Sequence, residues 1–386
     1  MTIVGINDTV NKTCIRTTLP RLRNVFKFKT FIVDAYGWLH AAVKKLDGVV
    51  ELLADNFPCQ RLYNFMQHHI ETLSLYGKFE VILVFDGPSS IQKKCTEESR
   101  QRTREEQRTE ARKARALGDV IKATELFRAS VDITPDIAKG VIDYLNELPE
   151  ETRRQIGFKR CVVSINEADP QLCYLNRTIP NSCVVSRDFD MVAWGVMACI
   201  FKVDYRTGMV ELFKREIFEK EAIVSRRALE FTPAQLIDAC VLAGCDYVKN
   251  LRGVGWVTAV NLIRQYGNAM KVLAQWRKEK KRGCDDEYVT AVKRAITMFR
   301  YCWVVNEQAK AVVNCNQYRE TRNSAFDINR YLDPKPNAEV AIGVYYGRID
   351  PRYVHALAHM HAIHTSAHKY IGSSFWSTTN HHHQTL

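Results

Sequence analysis

The chain has no stretch approaching the ~20 consecutive apolar residues that a membrane-spanning helix needs, so no membrane partner is expected. Its opening, MTIVGINDTVNK, lacks an apolar core of signal-peptide length behind a basic flank, and an intracellular protein is expected. No Cys-x-x-Cys occurs. The twelve cysteines are scattered singly, several inside apolar runs (Cys161, Cys183, Cys240), where a reduced thiol acts as a small hydrophobe and not as part of a disulfide or zinc framework. An acidic excess is missing too. Lys plus Arg number 55 against 43 for Asp plus Glu, and the net charge of +12 points to a polyanion, nucleic acid before membrane. With 386 residues, 46% of them apolar and 25% charged, the chain can bury one large core or two smaller ones and is long enough for an enzyme.

Against this basic background the acids are grouped. From Cys161 to Gly195 two short β-branched runs, CVVSI and CVVS, are each followed by two acids one residue apart, Glu167/Asp169 and Asp188/Asp190. In extended chain, residues i and i+2 project to one side, so each pair can offer two carboxylates to one point. Taken singly such acids are turn formers or caps, and Asp169 before Pro170 reads as an N-cap with proline at the first helical position. Two further runs break that reading: FIV ends at Asp34 and VILVF at Asp86. Apolar strands buried on both faces indicate a parallel sheet covered by helices, and such sheets bind ligands beyond the carboxyl ends of their strands. Carboxylates gathered there repel one another unless a cation sits among them. Hard divalent ions with oxygen ligands, Mg²⁺ or Mn²⁺, suit the donor set.

The rest of the chain surrounds these strands. Leu52 to Tyr76 has apolar residues at helical spacing, and the adjacent His68 and His69 within it read as surface or boundary residues because neighbours on a helix do not share a face. Ile91 to Gly118 is nearly all charge. It reads either as a solvated helix held by pairs such as Glu98/Arg102 or, because it starts directly after Asp86, as a helix that brings Lys93 and Arg100 to a phosphate at the acidic edge. Helix continues from Ala123 to Leu148 with Thr134-Pro135 as a start signal; Phe201 to Phe213 reads as a hairpin turning at Thr207-Gly208. Phe231 to Gly267 is helix, turn, helix. Gly253-Val254-Gly255 at the second helix's start exposes backbone N–H groups and the positive dipole end, suited to a DNA phosphate, while a plain tight turn is the alternative. Asp246 precedes it as a fifth source of carboxylate. Arg277 to Arg282 is basic and serves phosphate contact, nuclear import or a solvated loop. Tyr288 to Val305 reads as helix, and the His-rich tail from about residue 349 as a poorly ordered end.

VDAYGWLH, ILVFDG, NEADPQLCYL, SRDFDMVAWG and LAGCDYVKNLRGVG resemble, in this order, the structure-specific 5′ nucleases, the superfamily of flap endonuclease and XPG. The resemblance leans to the exonuclease-1 branch through YGWLH and through GDVIKATELFRASVDIT, which is similar to that branch's arch segment. It spans roughly Ile3 to Arg348. It implies an α/β, PIN-like, mostly parallel sheet flanked by helices, a helical arch, and a helix-two-turn-helix that grips duplex DNA. The expected organisation is a catalytic core over 1–348 (1–118 with the start of the arch, 119–230 with its end and the internal nuclease region, 231–270 the helix-two-turn-helix) and a tail over 349–386.

The resemblance also implies two Mg²⁺ ions, replaceable by Mn²⁺, held by Asp34, Asp86, Glu167, Asp169, Asp188, Asp190 and Asp246. Lys93 and Arg100 match its arch cations, and Tyr36 and His40 the residues that stack on or wedge DNA beside the scissile nucleotide. Gly253 and Gly255 fall in its DNA-binding turn. The chain departs from the family at Thr2, where glycine is usual, at Asn166 (Tyr), Pro170 (Ala) and Ala243 (Ser). Trp256-Val257-Thr258 also lacks the basic residues common after the turn. These departures bear on a potassium ion at the turn and on the grip on downstream duplex. The implied activity is 5′ to 3′ exonuclease on double-stranded DNA with recessed ends, nicks or flaps, together with 5′ flap cleavage, in a nuclear repair or replication setting with protein partners from those pathways. A flap endonuclease, and a DNA-binding protein of this fold without catalysis, are the alternatives.

Overall fold

The computed structural model describes residues 3–46, 53, 59–88, 94–316, 330–352 and 354. Lys93 and the tail beyond residue 354 lie outside the described residues. Seven strands form one sheet: β1 (Ile15–Thr18), β2 (Thr30–Asp34), β3 (Glu80–Phe85), β4 (Phe158–Val163), β5 (Ser182–Val185), β6 (Ala198–Asp204) and β7 (Met209–Lys214), in the spatial order β1-β7-β6-β5-β2-β3-β4. The runs read as doubly buried strands are β2, β3, β4 and β5, paired parallel, and their apolar residues Phe31 to Val33, Val81 to Phe85 and Cys183 to Val185 are buried. The expected hairpin is β6 and β7, antiparallel, with β1 added at the edge. The chain climbs from β2 through β3 to β4 on one side and from β5 to β6 on the other. The order therefore reverses between β2 and β5, where an open α/β sheet leaves its ligand crevice.

Helices cover both faces. Asp34 ends β2 and at once caps the helix Ala35–Lys45, its carboxylate accepting from Gly37 N–H at 3.0 Å. Gln60–Gly77 leads back to β3, and Ala168–Thr178 joins β4 to β5. At Gly157, which ends Glu150–Ile156 at φ +77°, a Cβ would sit 2.4 Å from the Phe79 carbonyl oxygen, so only glycine lets the chain enter β4 against the start of β3. His69 departs from the boundary reading: it is 5% exposed and its ring lies 4.1 Å from Phe65 and 4.4 Å from Tyr205, because the helix turns that face inward against the sheet.

The charged segment forms the helix Lys94–Ala116, which folds back through Gly118 onto Val120–Ser130. Ion pairs within it include three at i,i+3 spacing, Glu97–Arg100 at 2.6 Å, Glu105–Arg108 at 3.0 Å and Glu110–Lys113 at 2.8 Å. The two helices meet along a narrow seam of small residues and one aromatic, Ala111, Ala114, Ala123 and Phe127, too sparse to register as an apolar stripe in sequence. The helix expected to run to Val305 is Asp286–Tyr301. Beyond it, Trp303–Asn306 pairs antiparallel with Ala311–Asn314, and the β-branched Val304, Val305, Val312 and Val313 take the extended form that cross-strand pairing rewards.

Candidate metal centre and nucleic-acid interface

Four parallel strands deliver the acids to one lip of the sheet. Asp34 ends β2 and Asp86 follows β3. Glu167 and Asp169 sit at the start of the helix after β4, and Asp188 and Asp190 follow β5. Asp86 accepts the Ala168 N–H at 2.6 Å, which fixes the β3 end against the Glu167/Asp169 turn. Gly87 makes that approach close: a Cβ there would stand 2.0 Å from the Ser164 carbonyl oxygen. The reading of Asp169 as an N-cap is corrected. Glu167 occupies the cap position, Asp169 lies in the first turn, and Pro170 is the third helical residue. The Asp169 carboxylate is thereby left facing the other acids.

Electrostatics record that convergence. Asp169 holds its proton well above the usual carboxylate range, first through burial and then through the charges of Asp188, Asp34, Glu167 and Asp86. Asp34 is raised too: burial outweighs the Gly37 N–H and the Ser186 hydroxyl that stabilise its anion, and Asp188 adds to the rise. Five carboxylates from four strand ends thus feel one another. Asp190 and Asp246 form a second pair of sources, both acting on the Cys245 thiol between them in the fold. Asp190 is 6% exposed and accepts the Ile3 backbone N–H at 2.6 Å. Tyr247 ties the two groups, its hydroxyl donating to Glu167 at 3.0 Å. As placed, no three His, Cys, Asp or Glu side chains among the described residues close into a metal cage. The match to a divalent cation is one of charge and donor chemistry: an all-oxygen, strongly anionic lip whose mutual repulsion a hard cation would relieve.

The arch hairpin and the helix-turn-helix approach this lip from two sides. Arg100 pairs with Glu97 and reaches Asp246 at 3.9 Å, so the charged helix does begin at the acidic edge. Arg104 pairs with Asp132 at 2.7 Å at the base of the hairpin. Tyr36 and His40, one turn apart on the helix after Asp34, both face Asp132. Tyr36 packs edge-on to Phe85 at 6.5 Å, and burial together with Asp86, Asp132 and Asp34 pushes its phenol above its usual range. His40 is a weaker base than usual, through desolvation first and then the Arg104 charge. Gly253 has φ +81° and Gly255 caps the helix Trp256–Tyr266; no atom comes within 4 Å of a Cβ built at either. The backbone at this helix start is open, as a phosphate contact requires.

Sequence reasoning missed the residues that join the acids. The buried Ser186 donates to Asp34 at 3.1 Å and accepts the Asp188 N–H at 3.2 Å, linking β2 and β5 across the reversal of strand order. Asn166, noted only as a departure, donates to the Trp303 carbonyl at 3.0 Å and accepts the Gly87 N–H at 2.7 Å through its own carbonyl. The signal for Ser186 was its place one residue past the last apolar position of β5, directly after the Val33–Val185 pair as Asp34 is.

Residues 159–246, the stretch from β4 to Asp246, match the XPG I-region family. The chain is 29% identical over 304 residues to Exonuclease 1 of Danio rerio, across 78% of this chain and 36% of that protein. It is 30% identical over 296 residues to the DNA damage-inducible protein DIN7 of Saccharomyces cerevisiae, across 73% of this chain and 64% of that one. It spans between about a third and two thirds of the length of these curated relatives. Among solved structures the catalytic core of Rad2 in complex with DNA substrate shares the fold, with a TM-score of 0.51 at 16% identity over 87% of both chains. The matched I-region carries five of the seven acids, and the strand ends that deliver the other two stand beside it in the same sheet. Through this I-region, its curated relatives and its fold, the chain is similar to the XPG-like 5′ nuclease superfamily.

Proposed function

We propose that the protein is a divalent-metal-dependent 5′ to 3′ exonuclease of double-stranded DNA that also cuts 5′ flaps, and that it serves DNA repair or recombination in the nucleus. The observation that carries this reading is the convergence, at one edge of the parallel sheet, of the acids at the ends of β2, β3, β4 and β5, which raises the proton affinity of Asp169 beyond the effect of its burial. A protein that only bound DNA would gain nothing from so much negative charge beside phosphate. Asp34, Asp86, Glu167, Asp169 and Asp188 would hold the metal side nearest β2 to β5, and Asp190 and Asp246 would complete the set from the N-terminal and helix-turn-helix sides. Bound Mg²⁺ would supply charge neutralisation at the phosphate and acidify a water.

The remaining work falls to the chain's own groups. Arg100, with Lys93 seven residues before it in sequence, offers positive charge to the reacting phosphate. The open N–H groups around Gly253 and Gly255 hold a backbone phosphate of the duplex without reading bases. Tyr36 and His40 offer stacking surface beside the acids. Ser186 orients Asp34 and Asp188 relative to each other. The core over 1–348 is proposed to act as one catalytic unit.

The deciding experiment incubates end-labelled recessed duplex and 5′ flap substrates with the protein and Mg²⁺ and compares product lengths. Mononucleotides from the recessed duplex support the exonuclease; short oligonucleotides from flaps alone shift the reading to a flap endonuclease, which the arch hairpin favours as the second reading. No cleavage of either substrate at any Mg²⁺ or Mn²⁺ concentration, with DNA still bound, leaves the non-catalytic binder.

A further inference from the structure

A pocket of about 410 Å³ adjoins the acids on the side of β5 and β6, beside the reversal of strand order. That volume lies within the ~300–1,000 Å³ of small-molecule sites. Its composition runs from one end to the other. Asp34 and Ser186 close the end shared with the acidic lip. Trp38, Tyr205 and His69 make an aromatic wall, with Trp38 5.3 Å from His69 and 6.2 Å from Tyr205 between ring centroids. Lys45 and Arg187, both exposed, bring positive charge near that wall; each opposes protonation of His69, which burial above all holds at about 4. Lys202 and Arg206 add two more cations at the hairpin. The other acid of the pocket, Asp204, is turned to the hairpin's own backbone, accepting from Arg206 N–H at 2.9 Å. The proposed cleavage reaction uses none of these aromatic or basic groups.

We propose that this pocket binds a 2′-deoxynucleoside 5′-monophosphate, its 3′ side at Asp34 and Ser186, its base on Tyr205, which the buried Trp38 and His69 back, and its 5′-phosphate at Arg187 and Lys45. The polarity allows this orientation and disfavours the reverse, which would set a phosphate dianion against Asp34. A planar guanidinium pairs with phosphate through two N–H bonds, and aromatic faces accept any base without choosing its sequence. The identity of the ligand as a reaction product rests on the nuclease reading: a nucleotide released by stepwise 5′ to 3′ cutting has its 3′-oxygen at the acids and its own 5′-phosphate pointing away from them. The pocket would then hold each product as it leaves the acids.

Calorimetric titration of the whole protein with 2′-deoxyadenosine 5′-monophosphate, in chelator and without DNA, tests the pocket apart from catalysis. Saturable one-to-one binding is expected, with deoxyadenosine alone and inorganic phosphate alone each at least tenfold weaker. Arg187→Glu combined with Lys45→Glu should weaken binding at least tenfold at an unchanged melting temperature. Asp188→Ala should bind the nucleotide within threefold of the parent. Absence of saturable heat at millimolar nucleotide overturns the inference, as does equal affinity in the double charge reversal. Loss of binding in Asp188→Ala also overturns it, because the nucleotide would then be sitting on the acids. Retained, charge-dependent binding by a protein that cuts no DNA would support the pocket while sinking the nuclease reading.

Discussion

Ser186→Ala removes one hydroxyl that serves two acids. Its oxygen donates to Asp34 at 3.1 Å and accepts the Asp188 N–H at 3.2 Å, in a position only 4% exposed, so solvent cannot replace it without rearrangement. Two routes give the size of the effect. A hydrogen bond to a charged group contributes about 1.5–3 kcal/mol. Loss of a group that orients a metal ligand costs roughly 10–100-fold in metal affinity or activity, which at ~1.36 kcal/mol per decade is about 1.4–2.7 kcal/mol. The two ranges coincide. The sign with pH follows from Asp34: burial raises its proton affinity and the Ser186 hydroxyl lowers it, so removal raises it further. Protons then compete with Mg²⁺ up to a higher pH. Cleavage of recessed duplex, measured across a Mg²⁺ series at several pH values, should show a midpoint shifted 10–100-fold upward and an acidic limb moved to higher pH. If both the midpoint and the limb match the parent, Asp34 and Asp188 do not act as a linked pair and the metal assignment at the β2–β5 reversal is wrong.

Asp188→Ala should abolish cleavage and leave DNA binding in a gel-shift assay largely intact, since it removes an acid and not a phosphate contact; near-normal turnover would refute its role. For Asp169 the pH sign is opposite to that of an ion-paired carboxylate. Its folded proton affinity lies above the ordinary value of 3.8, so the native state binds the extra proton and stability is lost as pH rises from 3.8 through the raised value. Asp169→Asn should therefore melt higher than the parent at neutral pH in chelator, with the gap closing as the medium is acidified; a gap that widens on acidification would contradict it. Asp238, 5% exposed at its side chain, pairs with Arg300 at 2.7 Å and accepts the Ala269 N–H at 3.0 Å, joining three helices. Asp238→Ala strands a partly buried guanidinium and should cost about 3–5 kcal/mol in chemical denaturation; a cost under 1 kcal/mol would mean that water replaces the carboxylate.

The strands and their acids were legible in the sequence because a doubly buried strand is an uninterrupted apolar run and its end is marked by the first charge. Asp34, Asp86, Asp188 and the Glu167/Asp169 pair all emerged that way, and the glycine turn was visible through Gly253, whose φ of +81° few other residues tolerate. What stayed hidden depends on contacts between distant segments. His69 looked like half of a surface pair, and only the packing of its helix against Trp38 and Tyr205 buries it. Asp169 looked like a cap because proline follows it, but the cap lies two residues earlier, at Glu167. Ser186 carries no periodicity and no charge, and its value exists only once β5 lies beside β2.

The N-terminal segment shows how far such long-range contacts reach. Ile3 donates its N–H to Asp190, Val4 donates to the Gly244 carbonyl at 3.3 Å, and Thr9 accepts the Trp256 indole N–H at 2.9 Å. Trp256 is the first residue of the helix behind Gly255, so within seven residues the segment touches a candidate metal-holding acid, the loop that leads to Asp246, and the turn proposed to hold duplex phosphate. All three contacts are hydrogen bonds, whose geometry tolerates only small displacement. A shift of the helix-turn-helix on taking up DNA, as proposed, would therefore pull on Asp190 through a short strap anchored by the buried Ile3, Ile6 and Thr9. The turn proposed to hold duplex phosphate and the placement of Asp190 are in this way joined by one segment of chain, through two backbone N–H groups and the Trp256–Thr9 side-chain bond. Trp256, which in sequence is only a missing basic residue, is the anchor of that coupling.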